Sequence, residues 1–209
     1  MTKSKQIVFV NQSAGYLMID IIEAFNDDYE EQILLTGFLN PRNKKLDTLV
    51  KVIKIAKYDR SSTLKRLASW FLGFLKALWV IKFQYPKAHL FLVSNPPFSL
   101  WIPLFCKNTF DVLVYDIYPD ALVEFGYFKP SAWFVRKWEA ANRKVLAKAN
   151  KISTLTEGMQ QRLTKYVDIN KIQIVPIWTD NAFLKPIPKN ENVFLNDHQL
   201  QNKFVVIYS

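Results

Sequence analysis

Asp111-Val112-Leu113-Val114-Tyr115 runs directly into Asp116-Ile117-Tyr118-Pro119-Asp120. The first five residues form a short, nearly continuous apolar run, the pattern of a strand covered on both faces of a sheet. The next five change texture at once. A carboxylate, a proline and a second carboxylate stand where a chain leaving such a strand would turn.

The same alternation extends in both directions. Upstream, His89 to Ser94 reads as a strand, and Pro96-Pro97 opens a helix that runs to Phe105. Downstream, the loop from Asp116 to Pro130 leads to a helix from Ser131 to Ala149 and a strand from Lys151 to Leu155. A helix from Glu157 to Tyr166 and a strand from Lys171 to Val175 follow. Nearer the N-terminus, Gln6 to Val10, Glu31 to Leu35 and Val50 to Ile55 are further strands. Leu17, Ile21, Ile22 and Phe25 recur at helical spacing, and Ser61-Ser62 is suited to cap a helix from Leu64 to Phe83. Strands separated by helices, mostly without hairpin turns, predict an α/β, Rossmann-like doubly wound domain. Its sheet should be mostly parallel, with helices on both faces.

The texture changes after Pro176. Residues 182 to 202 carry Pro186, Pro188 and four asparagines and read as a linker. Lys203-Phe204-Val205-Val206-Ile207-Tyr208 is again a strand signal. The expected division is therefore a domain over 1–181, a linker over 182–202, and over 203–209 the first strand of a second domain.

Composition narrows the function. With 209 residues, 50% of them hydrophobic, the chain can bury roughly 70% of its unfolded surface without staples. Cys106 is the single cysteine, and His89 and His198 are the only histidines, so no cysteine framework and no histidine metal site is expected. Net charge of +10 calls for an anionic partner: nucleic acid, membrane headgroups or a phosphorylated substrate. The N-terminus lacks the apolar core and cleavage pattern of a signal peptide, giving a cytoplasmic expectation.

Ligands of open α/β sheets bind beyond the carboxyl ends of the strands. Four loops fall there. Asn11 to Gly15, with Ser13, Ala14 and Gly15, reads either as a phosphate or sugar-hydroxyl site or as a plain strand-to-helix turn. Asn95 lies in a stiff Ser94-Asn95-Pro96-Pro97 loop whose prolines suit a helix start. Asp116 is the strongest candidate base, because a carboxylate at a strand end costs free energy unless it has a partner. Asp120 either projects with it or caps the next turn. Thr156 reads first as a helix N-cap, with Glu157 beside it.

In this order, Asp116-Ile117-Tyr118-Pro119-Asp120, the run from Ala149 to Met159, the run from Lys171 to Asp180 and the closing Lys203 to Ser209 resemble the N-terminal half of family 4 glycosyltransferases of the GT-B fold. The nearest texture is that of bacterial enzymes of capsule, exopolysaccharide and O-antigen assembly. The resemblance implies an acceptor-side domain that faces a donor domain across a cleft, with transfer that retains configuration and needs no metal or other cofactor.

Asp116 would then be catalytic, with Tyr115, Tyr118, Asp120 and Asn95 binding the acceptor. Ser13, Ala14, Gly15, Thr156 and Glu157 would face the donor. The nucleotide sugar would be bound mainly by the other domain, and the fragment alone would be inactive. Two departures stand out: Ser13-Ala14-Gly15 replaces the paired glycines common in the family, and Tyr115 stands where many members have His.

A lipid-linked saccharide acceptor would give the basic charge a partner, with the protein peripheral at the inner face of the cell membrane. Lys65, Arg66, Trp70 and Phe74 are the residues expected to face the lipid. The competing expectation is an ordinary core helix with solvated lysines. Other functions remain as alternatives: a non-enzymatic basic module for membrane or nucleic acid, although no nucleic-acid motif is present, and an epimerase or dehydrogenase, which the missing GxGxxG disfavours.

Overall fold

The computed structural model describes residues 6–179 and 184–206, in two compact units, Met1–Ile177 and Trp178–Ser209. The first unit holds β1 (Gln6–Val10), β2 (Ser13–Gly15), α1 (Tyr16–Glu23), β3 (Glu31–Thr36), β4 (Phe38–Asn40), β5 (Lys51–Lys54) and α2 (Thr63–Gln84). It continues with β6 (His89–Val93), a 3-10 helix (Pro97–Leu104), β7 (Phe110–Val114), α3 (Asp120–Glu124), α4 (Trp133–Leu146), β8 (Lys151–Thr154), α5 (Glu157–Leu163) and β9 (Ile172–Ile174).

Seven strands form one sheet in the order β5-β3-β1-β6-β7-β8-β9, and every described ladder is parallel. β7 is buried along its whole length, its apolar residues Phe110, Val112, Leu113 and Val114 joined by Asp111, whose carboxylate lies 3.4 Å from His89. The period of two within each strand sorts side chains to opposite faces. Val8 and Val10 join one core cluster with Ala77, Val80 and Ile81 of α2, Ile102 of the 3-10 helix, Val145 and Leu146 of α4, and Leu163 of α5. Phe9 points the other way, its ring 5.7 Å from Phe25 just beyond α1, while Gln32 donates to the Ile22 carbonyl on that side. Helices therefore cover both faces. Each aliphatic side chain fully buried between these layers stabilises the fold by about 1.5–3 kcal/mol.

Caps agree with the local sequence. Ser62 accepts from the Lys65 amide at 3.2 Å to start α2, and Thr156 accepts from the Met159 amide at 3.2 Å to start α5. Elsewhere tertiary structure overrides the expectation. The segment after Pro96-Pro97 is a 3-10 helix with Pro103 inside it, because proline removes amide donors and tolerates only the tighter, shorter turns. Residues Ser13 to Gly15, expected as a bare loop, form a strand that pairs in parallel with Phe38 to Asn40.

In the second unit, the segment read as a linker carries a 3-10 turn (Lys189–Glu191) and a short helix α6 (Val193–Asp197). Asn192 caps this helix by accepting from the Leu195 amide at 3.2 Å, a local signal that low periodicity conceals. The strand expected from Lys203 is not formed over residues 203–206, where Phe204 is 93% exposed and no neighbouring strand satisfies the backbone. Ile207, Tyr208 and Ser209 lie outside the described residues.

Candidate functional site

The carboxyl end of β7 carries Tyr115 and Asp116, and Ser94 at the end of β6 holds them in place. The Ser94 hydroxyl, fully buried, accepts from the amides of Tyr115 and Asp116 at 2.9 and 3.0 Å and donates to the Asp116 carbonyl at 3.1 Å. The loops after β6 and β7 each contain one cis X-Pro bond, Asn95–Pro96 and Tyr118–Pro119. Asn142 of α4 fixes the next residue but one, donating to the Tyr118 carbonyl at 2.5 Å while its own oxygen accepts from Trp101 at 3.3 Å.

Beneath this loop lies an aromatic block. Trp70 lies 6.2 Å from Tyr118 and 6.3 Å from Phe98, and Trp138 stacks on Tyr118 at 6.3 Å and reaches Trp101 at 5.3 Å. Tyr118 of this block lies near enough to interact with the charge of Asp116. Burial alone pushes the Asp116 carboxyl above the usual carboxylate range. Its one side-chain bond is from the Asn95 amide at 3.3 Å, and no cation forms an ion pair with it among the described residues. The Tyr118 hydroxyl is pushed up to about 12, first by burial and then by the charge of Asp116. Burial likewise raises Tyr115, helped by Tyr16, over whose ring the Arg42 guanidinium lies at 4.4 Å.

Tyr115, Asp116, Ile117, Ala121, Thr156, Gly158, Met159 and Arg162 line a cavity of about 370 Å³ between the β7 and β8 loops. The structure thus brings together Asp116, Tyr115 and Thr156 of the sequence candidates, with Asn95 bonded to the carboxylate. It does not bring Asp120 with them. Asp120 follows Pro119 as the first residue of α3, makes no cap bond, and turns to Lys165 at 2.6 Å and to the Tyr166 hydroxyl, beside a separate cleft lined by Glu139. Its oxygens are engaged in tying α3 to the segment after α5, away from the Asp116 cavity.

The N-terminal candidates are likewise redistributed. Ala14 is 2% exposed and packs inside the small β2–β4 pair, Ser13 is exposed, and Gly15 is half-buried with an extended backbone that any residue adopts. Glu157 is exposed in the first turn of α5. Among the expected lipid-facing residues, Lys65 is exposed, but Trp70 is 6% exposed and Phe74 packs against the core. Trp70 shares the inward side of α2 with Gly73 and Ala77 and cannot serve as its outer surface, while Phe74 is half-buried at the edge between the two sides.

Sequence reasoning missed Ser94, Arg162, Met159 and Asn142. Arg162 is far from Asp116 in sequence and forms a bidentate pair with Glu124, at 2.5 and 3.0 Å. Only the parallel pairing of β7 with β8 brings its helix to the cavity.

No family model matches the chain, and no curated protein matches it in sequence. Among solved structures, sucrose-phosphate synthase from Thermosynechococcus elongatus is similar with 13% identity and a TM-score of 0.55, over 94% of this chain and 52% of that one. TcCGT1, solved in complex with UDP, is similar with 10% identity and a TM-score of 0.50, over 94% of this chain and 55% of that one. Both are GT-B glycosyltransferases. The likeness is one of fold: an α/β, Rossmann-like domain that spans about half the length of the structures it matches.

Proposed function

We propose that this chain is the acceptor-side domain of a family 4 type, nucleotide-sugar-dependent glycosyltransferase that builds cell-surface polysaccharide such as capsule, exopolysaccharide or O-antigen. The observation that carries the reading is Asp116, a carboxylate raised by burial, free of ionic partners among the described residues, and set on a cavity at the carboxyl end of a central parallel strand. A carboxylate so raised is a stronger base than a solvated one. It accepts the proton of an acceptor hydroxyl. That oxygen forms the new glycosidic bond as the bond from the anomeric carbon to the nucleotide diphosphate breaks, the diphosphate leaving with the electron pair.

Arg162 and Thr156 on the cavity rim, with Tyr115, orient the acceptor through its hydroxyl or phosphate groups. Residues 1–181 form the acceptor domain, and the donor sugar is held by a facing domain that begins with the run from Lys203. The lengths of the matched structures, about twice this chain, support that division. In this reading the acceptor oxygen enters from the same face of the sugar that the diphosphate leaves, so configuration is retained, and no metal or other cofactor is included.

Two measurements test it. Ligand-observed NMR on this chain should detect saccharide acceptors and lose the signal in Asp116→Ala. Nucleoside diphosphate release from a panel of nucleotide sugars, assayed with the gene's full product, should fall on the order of a hundredfold in Asp116→Asn. Release that is undiminished in the variant, or no binding of any saccharide, would sink the proposal.

A further inference from the structure

Both sides of α2 are apolar, and only one of them is covered. Ser69, Trp70, Gly73, Ala77, Val80 and Ile81 are buried against the first unit. Leu64, Leu67, Phe71, Leu75, Trp79 and Phe83 are between 43% and 80% exposed. At about 100° per residue, Leu64, Phe71 and Leu75 lie within about 40° of one another, diametrically opposite Gly73. A helix that covers a core with one face ordinarily turns a polar face to water. Here the outer face is apolar from Leu64 to Trp79, with Lys82 projecting from it only in the last turn, and Phe105, 53% exposed, adjoins it through a ring contact with Phe74 at 6.0 Å.

The charge carried by the helix itself has one sign. Residues 60–110 contain no Asp or Glu and carry seven Lys and Arg. Lys65 and Lys76 fall at the border of the apolar face, where a long side chain can lay its methylenes on the surface and keep its ammonium outside it. Lys76 already lies over the Trp79 ring at 4.7 Å. No helix among the described residues is long and apolar enough to cross a membrane. A second copy of the chain would set these lysines against one another, with Asp59, near Lys65 at the start of the helix, as the nearby carboxylate and none near Lys76 within the helix.

We infer that this outer face docks on an anionic lipid bilayer. α2 lies in the plane of the headgroups, over a contact about 33 Å long for its 22 residues. The docking residues are thus Leu64, Leu67, Phe71, Leu75, Trp79 and Phe83, bordered by Lys65 and Lys76. Trp70, on the opposite face, touches Tyr118 at 6.2 Å, so docking sets the Asp116 loop about one helix diameter, ~10 Å, from the lipid. That consequence deepens the acceptor reading and rests on it; the docking itself does not.

Flotation of the full chain with vesicles tests it in the absence of donor and acceptor, so a failure here is separate from a failure of the transferase reading. The chain is expected to float with phosphatidylcholine vesicles containing phosphatidylglycerol and to stay behind with phosphatidylcholine alone. Leu67→Ser, Phe71→Ser, Leu75→Ser and Trp79→Ser together should reduce partitioning about tenfold or more, with an unfolding midpoint no lower than wild type. Lys65→Gln with Lys76→Gln, which leaves the apolar face intact, should weaken binding to the anionic vesicles and guards against a misfolded serine variant. Failure to float with anionic vesicles overturns the inference, as does flotation that survives the serine changes. So does a dimer in light scattering that those changes split.

Discussion

The Ser94 hydroxyl closes three bonds with the backbone of Tyr115 and Asp116, all between 2.9 and 3.1 Å. One fully buried oxygen thereby fixes the direction in which the Asp116 side chain leaves strand β7. The candidate base is therefore positioned by the neighbouring strand.

Ser94→Ala removes that oxygen and leaves two amides and a carbonyl to find other partners. We expect a loss of about 1–3 kcal/mol in urea unfolding, together with weaker acceptor binding. An unchanged unfolding midpoint would show that the loop is held by other contacts.

The raised carboxyl of Asp116 links stability to pH with a definite sign. Its pKa is higher folded than unfolded, so the folded state binds more protons between the ordinary carboxylate value, about 3.9, and the raised value. Wild-type stability therefore falls as pH rises through that window. Asp116→Asn should be at least as stable as wild type at neutral pH, with the difference closing toward pH 3. Transfer activity needs the ionised form, so it should rise with pH through the same window. Parallel denaturant titrations across pH, in which the variant never gains on wild type, would count against this account.

Gly37 follows β3 where the chain passes Ala56. A Cβ there would sit 2.3 Å from the Ala56 carbonyl oxygen and 2.7 Å from the Lys57 Cα, both backbone atoms. Gly37→Ala must push two backbone segments apart, and a loss on the order of 3 kcal/mol or more is expected, near the diagnostic tail for single changes. Thermal unfolding measures it directly.

Arg162 and Glu124 form an exposed bidentate pair at the cavity rim, each shifting the other toward its charged form. Pairs so open to solvent contribute little to folding. Arg162→Ala should leave the unfolding midpoint where it is and raise the acceptor KM about tenfold, the loss of one charge-assisted contact. A fall in the melting temperature without any change in KM would reassign Arg162 to a structural role.

Much of this was legible in the sequence because it is local. The β7 residues Val112, Leu113 and Val114 are apolar on both faces, the pattern of a strand between two layers of helices. Ser62 and Thr156 announce their helices because capping depends on residues within one turn. Asp116 could be singled out because a carboxylate directly after such a strand has few places to go.

What depends on residues distant in sequence was decided by tertiary structure. Asp116 and Asp120 stand four residues apart and look like a pair, yet one faces the cavity and the other is drawn to Lys165 and Tyr166 by the packing of α3 on the segment after α5. The helical period of α2 shows two apolar sides without saying which one the sheet will cover. Contact with Gln12 at Gly73 and with Tyr118 at Trp70 settles it, burying the aromatic expected to meet lipid and exposing Phe71 and Trp79. Sequence thus determined the parallel α/β layers and the strand end that carries the carboxylate, because periodicity and capping act within a few residues. Which side chains converge there, and which face of α2 stays uncovered, followed only from strand order and packing, because those bring together residues that no local rule relates.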